Sequence, residues 1–326
     1  MNHGERAMSG RLAIGIDIGG TKIAVASVDP SGRILTRESI ATEAELGFER
    51  AVARMVETIE RVLKQAGAAA SELCGVGVGC AGPVNPLRGV INNPYTLPTW
   101  NECDIVAALG KSLGLPVFLE NDADSAAIGE WYAGAARGAE RIVMLTLGTG
   151  VGGGVVLDGQ VYRGVQGEHP ELGHIPIDPT GPECYCGTRG CLESIASGTA
   201  LADAGAAFGY ADSREVFAAA AAGDAGARAI VERAQRAVAF AGWTILHTFM
   251  PELIVLGGGI AEEHFERFAA GIAEQIPRAT MVPPGAVRVV RAALGNEAGL
   301  VGAASLALAR GKMLQQPAAN RKPDQK

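Results

Sequence analysis

Residues 173 to 193, GHIPIDPTGPECYCGTRGCLE, gather His174, Cys184, Cys186 and Cys191 into a stretch with few apolar side chains. Thiolates and an imidazole suit Zn²⁺, and four such ligands complete its tetrahedron. A full ligand set leaves no position for water, so a zinc held there would be structural rather than catalytic. The other cysteines, Cys74, Cys80 and Cys103, are scattered. In a long chain that pattern fits a metal site better than a disulfide framework. Cys-x-Cys is tighter than the usual Cys-x-x-Cys, and the competing reading is three buried thiols beside a core histidine.

Three glycine clusters offer a second chemistry: Gly19-Gly20-Thr21-Lys22, Gly148-Thr149-Gly150 and Gly257-Gly258-Gly259. Bare backbone N–H groups and a threonine hydroxyl can cradle phosphate oxygens, although each cluster could equally be a plain turn. The run GTGVGG has the letter pattern of the dinucleotide fingerprint, but VVLDGQVY follows it and reads as a strand into a hairpin turn. The fingerprint needs a helix at that point, so it is excluded, and no P-loop pattern is present. A third feature is Asp122 in LPVFLEND, where a strand gives way to a helix. The positive end of a helix favours an ionised carboxylate, which is the state a general base requires. The bland alternative is that Asp122 or Asp124 only caps the helix.

These residues need elements to hold them. Residues 12–28 read as two apolar strands joined by a glycine turn, and DPSG turns the chain again. Phe48, Val52, Met55, Ile59 and Val62 recur at helical spacing, with Gly67 as the stop. CGVGVGCAGPV predicts a buried strand, residues 102–113 a helix, LPVFLEND a strand and ADSAAIGEWYAG a helix. Residues 141–162 then repeat the strand, glycine turn, strand and Asp-Gly turn of residues 11–35. Helices are expected over 199–208 and 226–249, followed by the strand ELIVLGGGI, another helix and a last helix near 298–311. The pattern predicts an α/β protein with a duplicated architecture, two domains and a cleft between them. The domains are expected at 11–122 and 123–297, the last helix packing back on the first, with flexible tails at 1–10 and 312–326.

Composition limits the function. The chain is 48% hydrophobic with a net charge of −7, which suits a globular protein and opposes a nucleic-acid surface. No apolar run approaches the ~20 residues of a membrane span, and the polar start does not read as a signal peptide. A cytoplasmic protein without nucleic-acid or membrane partners is expected.

Taken together, DIGGTK, LGTGVGGG, END and the His–Cys–Cys–Cys motif resemble the ROK family (repressors, open reading frames and sugar kinases) in the family's order, from about residue 12 to about 310. The resemblance implies an actin-like (ribonuclease H-like), two-lobed kinase that phosphorylates a hexose with ATP and Mg²⁺ and carries a structural Zn²⁺. It implies that Gly19, Gly20, Thr21 and Lys22 form a first phosphate loop, with Asp17 near the metal–phosphate group. Gly148, Thr149 and Gly150 would form the second, and Gly257, Gly258 and Gly259 would line the adenosine. It further implies that Asn121, Asp122, Glu171, His174, Glu193 and Gly82 hold the sugar, Asp122 being the base. The metal ligands would be His174, Cys184, Cys186 and Cys191. A homodimer or homotetramer is implied as well.

Two departures touch the sugar pocket: PYTLPTW puts Thr96 where many relatives have Asn, and HPELGH replaces a common Ala-Gly-Glu. The second spelling resembles fructokinase-like members; glucokinase is nevertheless the leading expectation, with N-acetylmannosamine kinase second and fructokinase third. A sugar-responsive repressor is the alternative of another class. It is disfavoured because only about ten residues precede the first strand, too few for a helix-turn-helix, and the charge is negative.

Overall fold

The computed structural model describes residues 11 to 309, which form two compact units. The expected tails at 1–10 and 312–326, and the end of the last expected helix at 310 and 311, lie outside the described residues. The first unit comprises the described chain up to Ala133, Val156–Glu168 and the chain from Glu297 onward; the second comprises Gly134–Val155 and His169–Asn296.

In the first unit β1 (Leu12–Ile18) and β2 (Lys22–Val28) make the expected antiparallel hairpin, Ile18 facing Ile23. β3 (Ile34–Ala41) extends the sheet from β2. α1 (Phe48–Ala66) buries Met55, Ile59 and Val62 on one face. It stops at Gly67, whose φ of 65° gives the left-handed residue that such an end favours. β4 (Leu73–Cys80) follows, then three two-residue strands, β5 (Val84–Asn85), β6 (Val90–Ile91) and β7 (Cys103–Asp104), which form a small sheet. α2 (Ile105–Leu113) begins later than residue 102 because Asp104 is its cap, accepting from the Ala107 N–H at 2.8 Å. β8 (Val117–Asn121) runs straight into α3 (Asp122–Tyr132).

The chain then builds β9 (Arg141–Leu147), β10 (Val151–Leu157) and β11 (Gln160–Val161). A strand after GTGVGG, where the dinucleotide fingerprint would demand a helix, agrees with the exclusion made above. Helices α4 (Glu193–Ala196), α5 (Gly198–Ala206), α6 (Ser213–Ala222) and α7 (Ala225–Phe249) come next. β12 (Leu253–Gly257), α8 (Gly259–Glu263), α9 (Phe265–Ala273) and β13 (Arg288–Arg291) complete this part. The last helix, α10 (Ala298–Leu308), belongs to the first unit.

Duplication is visible in the strand order. One sheet runs β3-β2-β1-β4-β8 and the other β11-β10-β9-β12-β13. In both, a hairpin is followed by two strands parallel to its first strand. The first sheet buries Ile14, Ile16, Val76, Val78 and Leu119 with α1 and α2 on one face. On its other face Ala13 and Ala26 meet Leu300 and Ala304 of α10. That helix lies so close that a Cβ at Gly77 would strike the Ala303 carbonyl oxygen, and one at Gly15 the Leu300 carbonyl oxygen. Part of the chain's glycine thus serves helix-on-sheet packing rather than a ligand.

Candidate active site

Because β1, β4 and β8 are parallel, their carboxyl ends share one edge of the first sheet. Asp17 stands beside Gly79, Gly79 beside Glu120, and Cys80 beside Asn121. Open α/β sheets bind ligands at such an edge. Asn121, buried, is the cap of α3, its Oδ1 accepting from the N–H groups of Ala123 at 2.8 Å and Asp124 at 3.3 Å. Asp122 is therefore not the cap; it is exposed in the first turn, with Oδ1 accepting from the Ala123 N–H at 2.8 Å. Burial, and then the charge of Asp122, push the Asp17 carboxyl up to about 6, with Lys22 pulling the other way. The Cys80 thiol is also driven well up, by burial first and then by Asp122 and Asp17. Gly82 joins the same edge, since a Cβ there would lie 3.1 Å from Asn121 Nδ2.

The first glycine turn is tied down from within. The Gly19 N–H donates to the Lys22 carbonyl at 2.9 Å, and the Thr42 hydroxyl donates to the Gly19 carbonyl at 2.7 Å. Thr21 and Lys22 are exposed, and Gly20 abuts Thr96, whose Cβ would stand 3.2 Å from an added Cβ. Thr96 in turn accepts from Asn93 Nδ2 at 2.6 Å, and the same amide donates to the Ala81 carbonyl at 2.9 Å. Asn93 is buried and was not singled out by the sequence; its polarity in an otherwise loop-like stretch gave no sign of this role.

Beneath Asn121 lies a second feature that sequence reasoning missed. Glu120 and Arg163 form a two-pronged ion pair with side-chain exposures of 0% and 1%, and Glu120 Oε1 also accepts from the Asn121 N–H at 2.9 Å. Burial works against the Arg163 charge, while Glu120 and then Asp124 hold it protonated, with the net effect upward.

In the second unit the turn at Gly148–Gly150 closes with the Gly148 N–H on the Gly150 carbonyl at 3.0 Å. A Cβ on Gly148 or Gly259 would meet nothing within 4 Å, so the protein's own packing does not require glycine there. Gly258 has φ of 86° and lies against the Leu147 backbone, and Gly257 sits under Met144 and Ala292. A cavity of about 920 Å³ opens beside the turn, with Thr149, Gly150, Tyr185 and Glu193 in its wall.

His174, Cys184, Cys186 and Cys191 offer ligand atoms that all lie within 4.8 Å of one another. Cys184 Sγ is 3.4 Å from His174 Nδ1, and Cys186 Sγ is 3.5 Å from Cys191 Sγ. A zinc tetrahedron with bonds of about 2.3 Å to sulfur has edges near 3.8 Å, so a slight spreading would admit the ion. The four donors fit Zn²⁺, and Nδ1 on the metal side leaves Nε2 for another partner. Glu171 lies three residues ahead of His174, with its carboxyl held low chiefly by a hydrogen bond from His169, against burial. His169 Nε2 stands 3.2 Å from Glu171 Oε1, which gives HPELGH a local reason: its first histidine orients its glutamate. Glu193 Oε2 accepts from the Val151 N–H at 2.8 Å.

Comparison with known proteins fits this layout. The profile described as "ROK family" matches residues 13–310. A glucokinase of Thermotoga maritima is 37% identical, over 90% of this chain and 96% of its own. An N-acetylmannosamine kinase of Citrobacter koseri is 35% identical, over 90% and 98%. A ROK family glucokinase of Streptomyces griseus, solved in complex with glucose and AMPPNP, superimposes with a TM-score of 0.70 at 32% identity, covering 90% and 98%. The duplicated sheets are those of the two-domain, actin-like α/β fold. With the profile running from β1 to the end of α10, this chain belongs to the ROK family.

Proposed function

We propose that this protein is an ATP-dependent hexose kinase, glucose being its leading substrate and the hexose 6-phosphate its product. The observation that carries the reading is the array on the first sheet's edge: an exposed Asp122, a buried Asn121 that caps its helix, and Asp17 beside a glycine turn. The likeness to a glucokinase that binds glucose and AMPPNP supplies the substrate class. The experiment is ATP turnover against a panel of hexoses and N-acetylhexosamines. The 35% identity to an N-acetylmannosamine kinase favours that sugar as the second reading.

In this reading Gly19, Gly20, Thr21 and Lys22 cradle phosphate oxygens, as do Gly148, Thr149 and Gly150. Gly257, Gly258 and Gly259 line the adenosine. Gly82, Asn121, Glu171, His174 and Glu193 hold the hexose, His174 through Nε2. Asp122 accepts the proton of the attacking hydroxyl as its oxygen takes the γ-phosphoryl group and the bond to the bridging oxygen of ADP breaks. Asp17 would meet Mg²⁺ brought with the nucleotide, and the ion would supply positive charge to offset that of the phosphates. His174, Cys184, Cys186 and Cys191 would hold Zn²⁺, which would fix the loop of Glu171 and Glu193. No helix among the described residues is long and apolar enough to cross a membrane. A cytoplasmic homodimer or homotetramer, acting on hexose and ATP and not on nucleic acid, belongs to the proposal.

Three expectations follow from these roles. The purified protein should carry about one zinc per chain by elemental analysis, because four fitting ligands converge in one loop. Gly148→Val should leave folding intact, since an added Cβ has nothing within 4 Å. It should weaken AMPPNP binding roughly 10- to 100-fold, the effect of about 1.5–3 kcal/mol for a charged hydrogen bond denied at the turn, and spare sugar binding. Unchanged nucleotide affinity by calorimetry would remove the turn from the phosphate site. Asp17, with its carboxyl near 6, is ionised above that pH and neutral below it. Mg-nucleotide affinity should therefore fall as pH drops through 6, and Asp17→Asn should flatten that dependence.

A further inference from the structure

The chain that leaves the metal cluster is also the chain that holds the second glycine turn. Cys191 is a cluster residue, and Glu193 follows two positions later at the start of α4. Its Oε2 accepts from the Val151 N–H at 2.8 Å and would lie 2.8 Å from a Cβ on Gly150, so the carboxylate fills the space beside the turn. Five residues on, the Gly198 N–H donates to the Gly148 carbonyl at 2.7 Å. The N–H and hydroxyl of Thr199 both donate to the Thr149 carbonyl, at 3.2 and 3.1 Å. Each residue of the turn is thus met by one segment, Glu193 to Thr199. Ser197 fixes that segment by capping α5, its Oγ accepting from the Ala200 N–H at 3.0 Å.

The other end of this brace reaches the cluster through a side chain. Tyr185 lies between Cys184 and Cys186, and its hydroxyl lies near the Glu193 carboxylate, both residues lining the same cavity. Its ring stands edge-on to the His174 imidazole, with centroids 5.0 Å apart. Contacts therefore run from the cluster through Tyr185 to Glu193 and on to the turn, all within the second unit.

We propose that Glu193 is a positioning residue for the phosphate turn, and that the metal loop, by fixing Tyr185 and Glu193, presets that turn for nucleotide. The proposal rests on the reading that Gly148–Gly150 meets nucleotide phosphates. It adds that the metal loop serves nucleotide as well as sugar. A carboxylate used only for sugar would not need an oxygen committed to a backbone N–H.

The test is calorimetric binding of Mg-AMPPNP without sugar, beside hydrogen exchange of the peptide spanning residues 148–155. Glu193→Ala removes the acceptor, whereas Glu193→Gln keeps an oxygen that can accept from Val151. The alanine variant should bind AMPPNP about tenfold more weakly, as one lost hydrogen bond predicts, with faster exchange at the turn. The glutamine variant should stay within about threefold of wild type. Chelator-stripped protein should show the alanine variant's defects. Tyr185→Phe, which keeps every metal ligand, should weaken AMPPNP about two- to threefold and serves if the alanine variant does not fold. Wild type that binds AMPPNP, with an alanine variant that binds equally well and exchanges no faster, would overturn this proposal alone. Wild type that binds no AMPPNP would overturn the nucleotide reading and the proposal with it.

Discussion

Asp122→Asn should cut turnover by about 10²–10⁴-fold while hexose affinity stays near wild type. The substitution keeps size and shape and removes the carboxylate proposed to accept the hydroxyl proton. The structure makes this a clean experiment, because Asn121 and not Asp122 supplies the cap of α3. A lost cap would cost about 1 kcal/mol and confuse stability with chemistry. Here Asn121 Oδ1 continues to accept from Ala123 and Asp124, so the helix start should survive. The exposed position of Asp122 likewise predicts little change in unfolding. Near-normal turnover in the variant would show that another group takes the proton.

The second large effect concerns Arg163→Met. Glu120 is fully buried, and Arg163 provides the charge that compensates it through Nη1 and Nη2. Removing one partner of a buried pair costs about 3–5 kcal/mol, because the other is left charged and out of water. Urea denaturation should show a loss of that order for Arg163→Met. Glu120→Gln on the same background should restore part of it, since the neutral amide no longer needs a cation. Turnover should fall as well, because Glu120 Oε1 holds the Asn121 N–H directly ahead of Asp122, the proposed base. A loss below about 1 kcal/mol would mean that the pair contributes little to the fold.

What the sequence revealed and what it hid divides by distance along the chain. The two hairpins were legible because strand, glycine turn and strand are contiguous, and the repeated layout pointed to two matching sheets. The Cys/His cluster was legible because its four residues fall within 18 positions, 174 to 191. The Glu120–Arg163 pair was not, because the partners are 43 residues apart and, although Glu120 opens END, Arg163 stands in no recognisable motif. For the same reason the link from Glu193 to Val151, 42 residues apart, was hidden. Glu193 was read as a sugar ligand, and only the fold brings its second oxygen to the glycine turn. Helix α6 escaped notice because its alanine-rich run VFAAAAA gives almost no contrast between faces. The glycines of β4 were open to misreading as ligand contacts, whereas Gly77 faces the α10 backbone.

The account stands on phosphoryl transfer from ATP to a hexose. The most direct measurement incubates the protein with Mg-ATP and each sugar in turn, quantifies ADP, and assigns the phosphorylated position by NMR. The account predicts sugar-dependent ADP formation, highest kcat/KM with glucose, and phosphate on the 6-hydroxyl. No sugar-dependent ADP with any hexose or N-acetylhexosamine, from folded protein, would contradict it.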